Sequence, residues 1–197
     1  MPLRHSRCVF RGKEIEDGIA RRFLHVHFVL HRDVKPANLL ISEAGVLRLT
    51  DFGYARAFAE PNAHMSYECC TLWYRPPELL LGAAHYSSGV DAWGAGCVLA
   101  ELCIKRPLFR GETDIDQLAK IFSILGSPKN DTWPGVESLR KFVVFTNTQS
   151  EDLDMLLNDS QITPLATSLL ALDPNHRASA ADSLEGAAFH VENKVGA

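Results

Sequence analysis

The segment that decides the fold of this 197-residue chain is His-Arg-Asp-Val-Lys-Pro-Ala-Asn at residues 31–38, followed by Asp-Phe-Gly at residues 51–53. Two β-prone runs, Leu39–Ile41 and Val46–Leu49, lie between these motifs, and residues 42–45 that join the runs are small, polar or glycine. The pattern predicts a two-stranded hairpin. Because a hairpin turns the chain back on itself, the two motifs are predicted to lie side by side.

Together the two motifs supply the groups that phosphoryl transfer from ATP requires. That reaction needs a carboxylate to orient the attacking hydroxyl and accept its proton, and oxygen ligands for the Mg²⁺ ions that bridge the phosphates. Asp33 is the candidate carboxylate, and Lys35 is the candidate cation for the transferred phosphoryl group. Asn38 and Asp51 are the candidate metal ligands. Each residue alone is as typical of a turn or a cap, but their joint spacing favours the catalytic interpretation.

This set of residues resembles the signature of the protein kinase family, and a wider resemblance to the cyclin-dependent kinases covers residues 15–190. The wider resemblance rests on the runs DFGYARAFAE, YECCTLWYRPPELLLG, VDAWGAGCVLAEL, DIDQLAKIFSILGSP and WPGV. It implies a mainly α-helical fold, that of a kinase C-terminal lobe whose small β-ribbon carries the catalytic loop. It also implies ATP and Mg²⁺ as cofactors, with nucleotide or metal contacts from Lys35, Asn38, Leu40 and Asp51.

The same resemblance assigns structural roles to four polar residues: His31, Glu78, Asp91 and Arg177. Glu78 ends an Arg-Pro-Pro-Glu run where kinases have Ala-Pro-Glu, and Arg177 stands where they place its buried ion-pair partner. The alternative is a pair of unrelated surface charges. Asp91 corresponds to the residue that accepts backbone N–H groups from the loop that begins at His31. A simple carboxylate at a helix N-terminus is a compatible interpretation of Asp91.

Residues 54–71 show little periodicity, which indicates a loop that can switch. In cyclin-dependent kinases this segment is phosphorylated a few residues before the Thr-Leu-Trp-Tyr-Arg run, where this chain has Ser66. Arg32 and Arg56 are the candidate clamp for a phosphate of charge about −1.5 to −2. The alternative is an exposed loop serine that stays unmodified.

The resemblance also bears on the substrate. Lys35 and Thr71 are typical of serine/threonine kinases, and Thr71, Trp73 and Arg75 belong to the segment that accepts a proline just after the phosphoacceptor. Cys69 and Cys70 replace an aliphatic pair. We interpret them as small buried packing residues and not as a redox pair, since adjacent cysteines bridge only with strain.

Hydrophobic spacing predicts the remaining elements. Helices are expected at 90–103, 113–125, 163–171 and 178–187, with an imperfect helix within 14–30 and an irregular stretch at 130–160. Because residues 90–103 are apolar almost all round, the first of these helices is predicted to lie in the core.

Bulk properties narrow the partners and the compartment. The net charge of −4 provides no general attraction to nucleic acid, and no run approaches the roughly 18 apolar residues of a membrane span. Neither nucleic acid nor membrane is therefore expected as a partner. Five cysteines, an odd number without metal-binding spacing, fit an intracellular setting, in the nucleus or the cytoplasm.

The segment before His31 lacks the glycine-rich loop, strand lysine and helix glutamate that kinases use to hold ATP. We therefore expect an atypical segment at 1–14, a kinase-like C-lobe at 15–190 and a tail at 191–197, with the N-lobe and its main cyclin-binding helix absent. Two functions follow as hypotheses. The first is a serine/threonine kinase with protein substrates and a cyclin or other activator, and the second is a catalytically inactive lobe that binds proteins.

Overall fold

A computed structural model describes residues 24–58, 69–145 and 151–185. Within these ranges the fold is mainly α-helical, as the sequence predicts. The helices are α1 (Pro77–Leu80), α2 (Gly89–Ile104), α3 (Asp114–Leu125), α4 (Leu153–Leu157), α5 (Thr163–Leu169) and α6 (Ala180–Glu185). The strands are β1 (Val29–Leu30), β2 (Leu39–Ile41), β3 (Leu47–Leu49) and β4 (Arg56–Ala57). Short 3₁₀ turns span Pro36–Asn38, Phe52–Tyr54, Leu72–Tyr74 and Val136–Ser138.

The four strands form two antiparallel ribbons that flank the catalytic motifs. Strands β2 and β3 pair with Leu39 opposite Leu49, which confirms the predicted hairpin. Strands β1 and β4 form the second ribbon, with Leu30 opposite Arg56. The sequence did not predict this ribbon, because strands of two residues are too short to show an alternating pattern.

Helix α2 is the core helix that the sequence predicts, and all of its first ten residues, Gly89–Val98, are buried. Trp93 stacks on Phe109 with ring centroids 5.6 Å apart. At Gly94 the helix touches the catalytic loop so closely that an added Cβ would lie 2.8 Å from the carbonyl oxygen of Val34. Glycine is unfavourable within a helix, but here it permits the close approach that positions the loop.

Helix α3 also agrees with its prediction. The hydroxyl of Thr113 accepts a hydrogen bond from the backbone N–H of Asp116, which caps the first turn. The helix stops at Gly126, whose φ of 82° lies in the region that favours glycine. Leu118, Ile121 and Phe122 are buried in the main core cluster.

Helix α5 ends two residues earlier than predicted, and α6 begins two residues later than predicted. Helix α4 lies in the stretch that was predicted to be irregular. Helix α4 has only five residues. Asp152 caps its start, and Asn158, with a left-handed φ of 48°, ends it. A helix so short cannot display a 3.6-residue repeat. The imperfect helix predicted within 14–30 is described from residue 24 onward. The chain is helical at 24–26 only, and the prediction is wrong at Val29–Leu30, which form strand β1.

Some predictions fall outside the described residues. These are Ser66, the segment 1–14 and the tail 191–197. In the described part of the chain, no helix is long and apolar enough to cross a membrane.

Candidate active site

The catalytic loop is held by the carboxylate of Asp91 at the start of α2. One oxygen of Asp91 accepts from the backbone N–H of His31 at 2.9 Å, and the other accepts from that of Arg32 at 2.7 Å. Arg32 has a φ of 65°, which an arginine adopts only when its surroundings hold it there. The ring of His25 also contacts Asp91 at 2.9 Å. His25 was not predicted, because its partner is 66 residues away.

Asp33 lies at the centre of the site and is 2% exposed. Its Oδ1 accepts hydrogen bonds from the backbone N–H and the hydroxyl of Thr71, both at 3.0 Å. Its Oδ2 contacts Lys35 Nζ at 2.7 Å and Asn38 Nδ2 at 3.1 Å. Burial by itself would raise the pKa of Asp33, but the hydrogen bonds from Lys35 and Thr71 outweigh it and lower the pKa. Asp33 is therefore ionised at neutral pH.

Lys35 joins the catalytic loop to the segment at Thr71. Its Nζ donates to the Thr71 hydroxyl at 2.7 Å as well as contacting Asp33. A lysine ammonium has three donors, so one remains for a further acceptor. Asp33 and Lys35 thus form one hydrogen-bonded cluster with Thr71, which is distant from both in sequence.

The hairpin places Asn38 next to the segment that carries Asp51. The N–H and the hydroxyl of Thr50 both donate to the Asn38 carbonyl oxygen, at 2.9 and 3.1 Å. The Asn38 amide nitrogen donates to the Asp33 carbonyl oxygen at 2.8 Å, so its amide oxygen is the atom available to a cation. His31 also holds Thr50 in place, because its Nε2 contacts the Thr50 carbonyl oxygen at 2.9 Å.

Asp51 is exposed and has a left-handed backbone with φ of 60°. Its side chain accepts from the N–H of Gly53 at 3.2 Å. Among the described residues, no three His, Cys, Asp or Glu side chains form a metal cluster. An amide oxygen and a carboxylate fit Mg²⁺, which takes few protein ligands and fills its octahedron with water and phosphate oxygens.

The two candidate clamp residues differ in their surroundings. Arg32 is 8% exposed, and it donates to the Tyr54 carbonyl oxygen at 2.6 Å and to the Tyr86 hydroxyl at 2.8 Å. Arg56 is exposed on β4, opposite Leu30. Tyr86 is therefore a neighbour of the site that the sequence did not predict, because nothing in its local pattern points toward Arg32.

Arg75 fixes the backbone that precedes Thr71. Its Nε donates to the Cys69 carbonyl oxygen and its Nη2 to that of Cys70, both at 3.0 Å, while Nη1 contacts Asp114 at 3.1 Å. Cys70 has a φ of 68°, which turns its carbonyl group toward the guanidinium. Trp73 is anchored separately, since its indole N–H donates to the Gly111 carbonyl oxygen at 3.0 Å.

Glu78 and Arg177 meet in a buried bidentate ion pair. Nη1 and Nη2 of Arg177 donate to the two carboxylate oxygens at 2.8 and 2.9 Å. The side chains are 2% and 0% exposed, and the guanidinium lies 5.1 Å from the Trp93 ring centroid. The pair ties helix α1, which carries Glu78, to the loop between α5 and α6.

Comparison with known proteins shows the family of this chain. Residues 3–189 match the sequence model of the protein kinase domain. The chain therefore belongs to the protein kinase family. Within that family it is of the cyclin-dependent type: it is 42% identical over 173 residues to cyclin-dependent kinase 7 of Caenorhabditis elegans. The match covers 86% of this chain and 52% of the relative, so the chain spans about half the length of that protein.

Proposed function

We propose that this chain provides the catalytic lobe of a serine/threonine kinase that transfers the γ-phosphate of ATP to protein substrates. Residues 15–190 are assigned to the C-lobe, between an N-terminal segment at 1–14 and a tail at 191–197. The observation that carries the proposal is the environment of Asp33, an ionised carboxylate held by Lys35, Asn38 and Thr71. Every buried carboxylate needs such partners, as Glu78 and Asp91 also show. The catalytic interpretation rests on which residues supply them, namely Lys35 and Asn38 of the same motif together with Thr71.

The proposed reaction assigns one task to each group. Asp33 orients the substrate hydroxyl and accepts its proton, and Lys35 presents its remaining donor to the transferred phosphoryl group. Asn38 and Asp51 would hold Mg²⁺, which when bound neutralises the negative charge of the phosphates. Leu40 lies on β2, two residues after Asn38. It is 55% exposed and offers an apolar surface to the nucleotide base.

We infer a preference for proline after the phosphoacceptor from the position of Arg75. The carbonyl oxygen of Cys70 accepts from the Arg75 guanidinium at 3.0 Å, so the N–H of a substrate residue placed beside it would compete with a charged donor for that oxygen. Proline has no backbone N–H and loses nothing there. An unsatisfied buried N–H costs about 1–3 kcal/mol, which corresponds to a preference of about 5-fold to 150-fold.

Control by phosphorylation is assigned to Ser66. Arg32 and Arg56 would clamp the phosphate, and Arg32 already has a buried guanidinium that donates to the neutral Tyr86 hydroxyl. A dianionic phosphate is a stronger acceptor than a phenol, so it would displace Tyr86 from Arg32.

The alternative function is that of a lobe that binds proteins without catalysis. It is favoured by large apolar side chains exposed around the catalytic motifs, because exposed apolar surface marks an interface. Those exposed to 48% or more are Val26, Phe28, Leu40, Ile41, Phe52 and Tyr54. In the kinase proposal, a nucleotide-holding lobe covers this surface, and a cyclin or other activator docks on the assembled enzyme.

Free cysteines support an intracellular site of action, in the nucleus or the cytoplasm. Among the described residues, Cys69, Cys70, Cys97 and Cys103 are all thiols. Unpaired thiols fit a reducing compartment. Protein substrates are therefore expected in the same compartments.

The test is Mg·ATP-dependent transfer of phosphate to a peptide that contains Ser-Pro. We expect Asp33→Asn to lower the rate by about 10²–10⁴-fold, the usual contribution of a general base. Lys120→Met is the matched control, since Lys120 is 53% exposed on α3 and serves no site residue. Transfer that is absent, or that persists equally in Asp33→Asn, would refute the kinase proposal for this chain. Retained binding of the peptide would then support the protein-binding alternative.

A further inference from the structure

Cys69 and Cys70 form a close dithiol at the edge of the candidate active site. Their sulfur atoms are 3.8 Å apart, with the Cys70 thiol donating to Cys69. Both residues are buried, and Cys70 holds an unfavourable backbone conformation with φ of 68°. The interpretation of the two cysteines as packing residues explains their burial, but it does not explain the contact between the two sulfur atoms, and this contact leads us to replace it.

The surroundings of Cys69 favour its thiolate. Its sulfur lies 3.6 Å from the Tyr86 hydroxyl, which in turn accepts a hydrogen bond from Arg32 at 2.8 Å. The hydrogen bond from Cys70 is the largest influence that lowers the pKa of Cys69; burial opposes it, while Tyr86 and the charges of Arg32 and Arg75 assist it. The same contact and burial raise the pKa of Cys70. The structure thus places a thiol whose pKa is lowered in contact with a second thiol whose pKa is raised, at a sulfur separation of 3.8 Å.

We propose that Cys69 and Cys70 are a hydroperoxide-sensitive pair that closes reversibly into a vicinal disulfide. In the first step the Cys69 thiolate attacks one peroxide oxygen, the O–O bond breaks, and the departing hydroxide takes up a proton to become water. In the second step Cys70 sulfur attacks the Cys69 sulfenic acid, the S–O bond breaks, and hydroxide leaves as water with the Cys70 proton. The two thiols lose two electrons and two protons, and hydrogen peroxide is reduced to two waters.

Strain makes this disulfide a switch and not a permanent bond. Closure shortens the sulfur separation from 3.8 Å to about 2.05 Å. The Cα atoms of adjacent residues are about 3.8 Å apart, below the usual range of about 4.4–6.8 Å for disulfides. Strained disulfides are more easily reduced, which suits a regulatory bond.

Closure would also disturb the residues that follow the pair. The carbonyl groups of Cys69 and Cys70 are both held by Arg75, and the N–H of the next residue, Thr71, donates to Asp33 at 3.0 Å. Moving the two sulfur atoms together rotates the intervening peptide, so these hydrogen bonds weaken. A loss of phosphate transfer on oxidation rests on the proposed function, whereas formation of the disulfide does not.

The first experiment detects the bond by mass spectrometry. The purified chain is treated with hydrogen peroxide at neutral pH, remaining thiols are alkylated, and the peptide that contains both cysteines is analysed. We expect it to lose two hydrogens and to regain them with dithiothreitol, while Cys97, whose pKa is raised by burial, reacts at least about tenfold more slowly. A pair that stays reduced, oxidises no faster than Cys97, or reaches sulfinic acid without bridging would overturn the proposal.

Variants assign the order of the steps. In Cys70→Ser the reaction should stop at a Cys69 sulfenic acid that dimedone traps, and in Cys69→Ser the remaining thiol should resist oxidation. Cys103→Ser is the matched control, because it removes a thiol elsewhere and should leave the bridge intact. Oxidation of Cys70 at the original rate in Cys69→Ser would contradict the assignment of the nucleophile.

A second experiment tests the effect on phosphate transfer. Oxidised protein should transfer phosphate to the Ser-Pro peptide at least about tenfold more slowly, with recovery after dithiothreitol. A bridge that forms while transfer is unchanged would overturn the regulatory role and leave the disulfide assignment standing. If no transfer is detected at any redox state, the proposed function fails, and the mass spectrum alone decides the chemistry of the pair.

Discussion

Removing either partner of the Glu78–Arg177 ion pair is expected to be among the most destabilising single changes in this chain. Arg177→Met leaves the Glu78 carboxylate, 2% exposed, without its partner. It also removes the donor to three carbonyl oxygens, those of Gly89 at 2.7 Å, Ala171 at 3.0 Å and Leu172 at 3.3 Å. Breaking a buried pair costs about 3–5 kcal/mol, and the lost carbonyl contacts place this variant near about 5 kcal/mol.

Glu78→Gln is expected to cost less, about 3 kcal/mol, because the side chain keeps its shape and Arg177 keeps its three carbonyl acceptors. Urea unfolding followed by circular dichroism measures both variants. With a denaturant slope of about 1–3 kcal/mol per molar, the Arg177→Met midpoint should fall by about 2 M or more. Lys120→Met, which breaks an exposed contact of 4.0 Å with Asp116, should change the free energy of unfolding by less than about 0.5 kcal/mol.

The double variant Glu78→Leu with Arg177→Met separates the pair energy from general damage. Two apolar side chains leave no buried charge, so the double variant should be more stable than the summed losses of the single variants Glu78→Leu and Arg177→Met predict. Strict additivity of the two changes, or a loss below about 1 kcal/mol in Arg177→Met, would refute the argument that the buried charge causes the instability.

Four further results are expected. A Ser-Pro peptide should be phosphorylated about 5-fold to 150-fold faster than the matched Ser-Ala peptide, and equal kcat/KM values would contradict the role assigned to the Cys70 carbonyl group. Asp91→Asn should lower the free energy of unfolding by about 1–3 kcal/mol and reduce kcat, because a carboxylate oxygen that receives the loop N–H groups is replaced by an amide, as unfolding and kinetic assays would show. Since the folded-state pKa of Asp33 is lowered, its contribution to stability is complete above its ordinary value of 3.8 and is lost as pH falls through the lower folded value. Wild-type stability should therefore fall more steeply below pH about 4 than that of Asp33→Asn, and parallel curves would argue against the shift. Gly94→Ala should destabilise the chain by about 1–3 kcal/mol, since the new methyl group would overlap Val34, and an unchanged melting temperature would show that the helix and loop can separate without cost.

Local pattern was sufficient for the features that depend on neighbours in sequence. The hairpin between residues 39 and 49 and helix α3 follow from alternation, spacing and capping residues that lie within one element. The catalytic motif could be identified for the same reason, because Asp33, Lys35 and Asn38 lie within six residues of one another. Short elements were missed where no pattern has room to appear, as in β4 and α4.

By itself the sequence determined the family, the elements of the core and the residues available for catalysis. These features depend only on the type of each side chain and on its spacing from its neighbours in sequence. Tertiary structure alone decided how these residues are used. It brought Thr71 to Asp33, His25 to Asp91 and the Tyr86 hydroxyl between Arg32 and Cys69, across separations of 17 to 66 residues. The pKa of Asp33 and the contact between the two thiols depend on those distances and on burial. Such quantities exist only once the chain has folded, because Coulombic and hydrogen-bond energies depend on separation in space and not on separation in sequence.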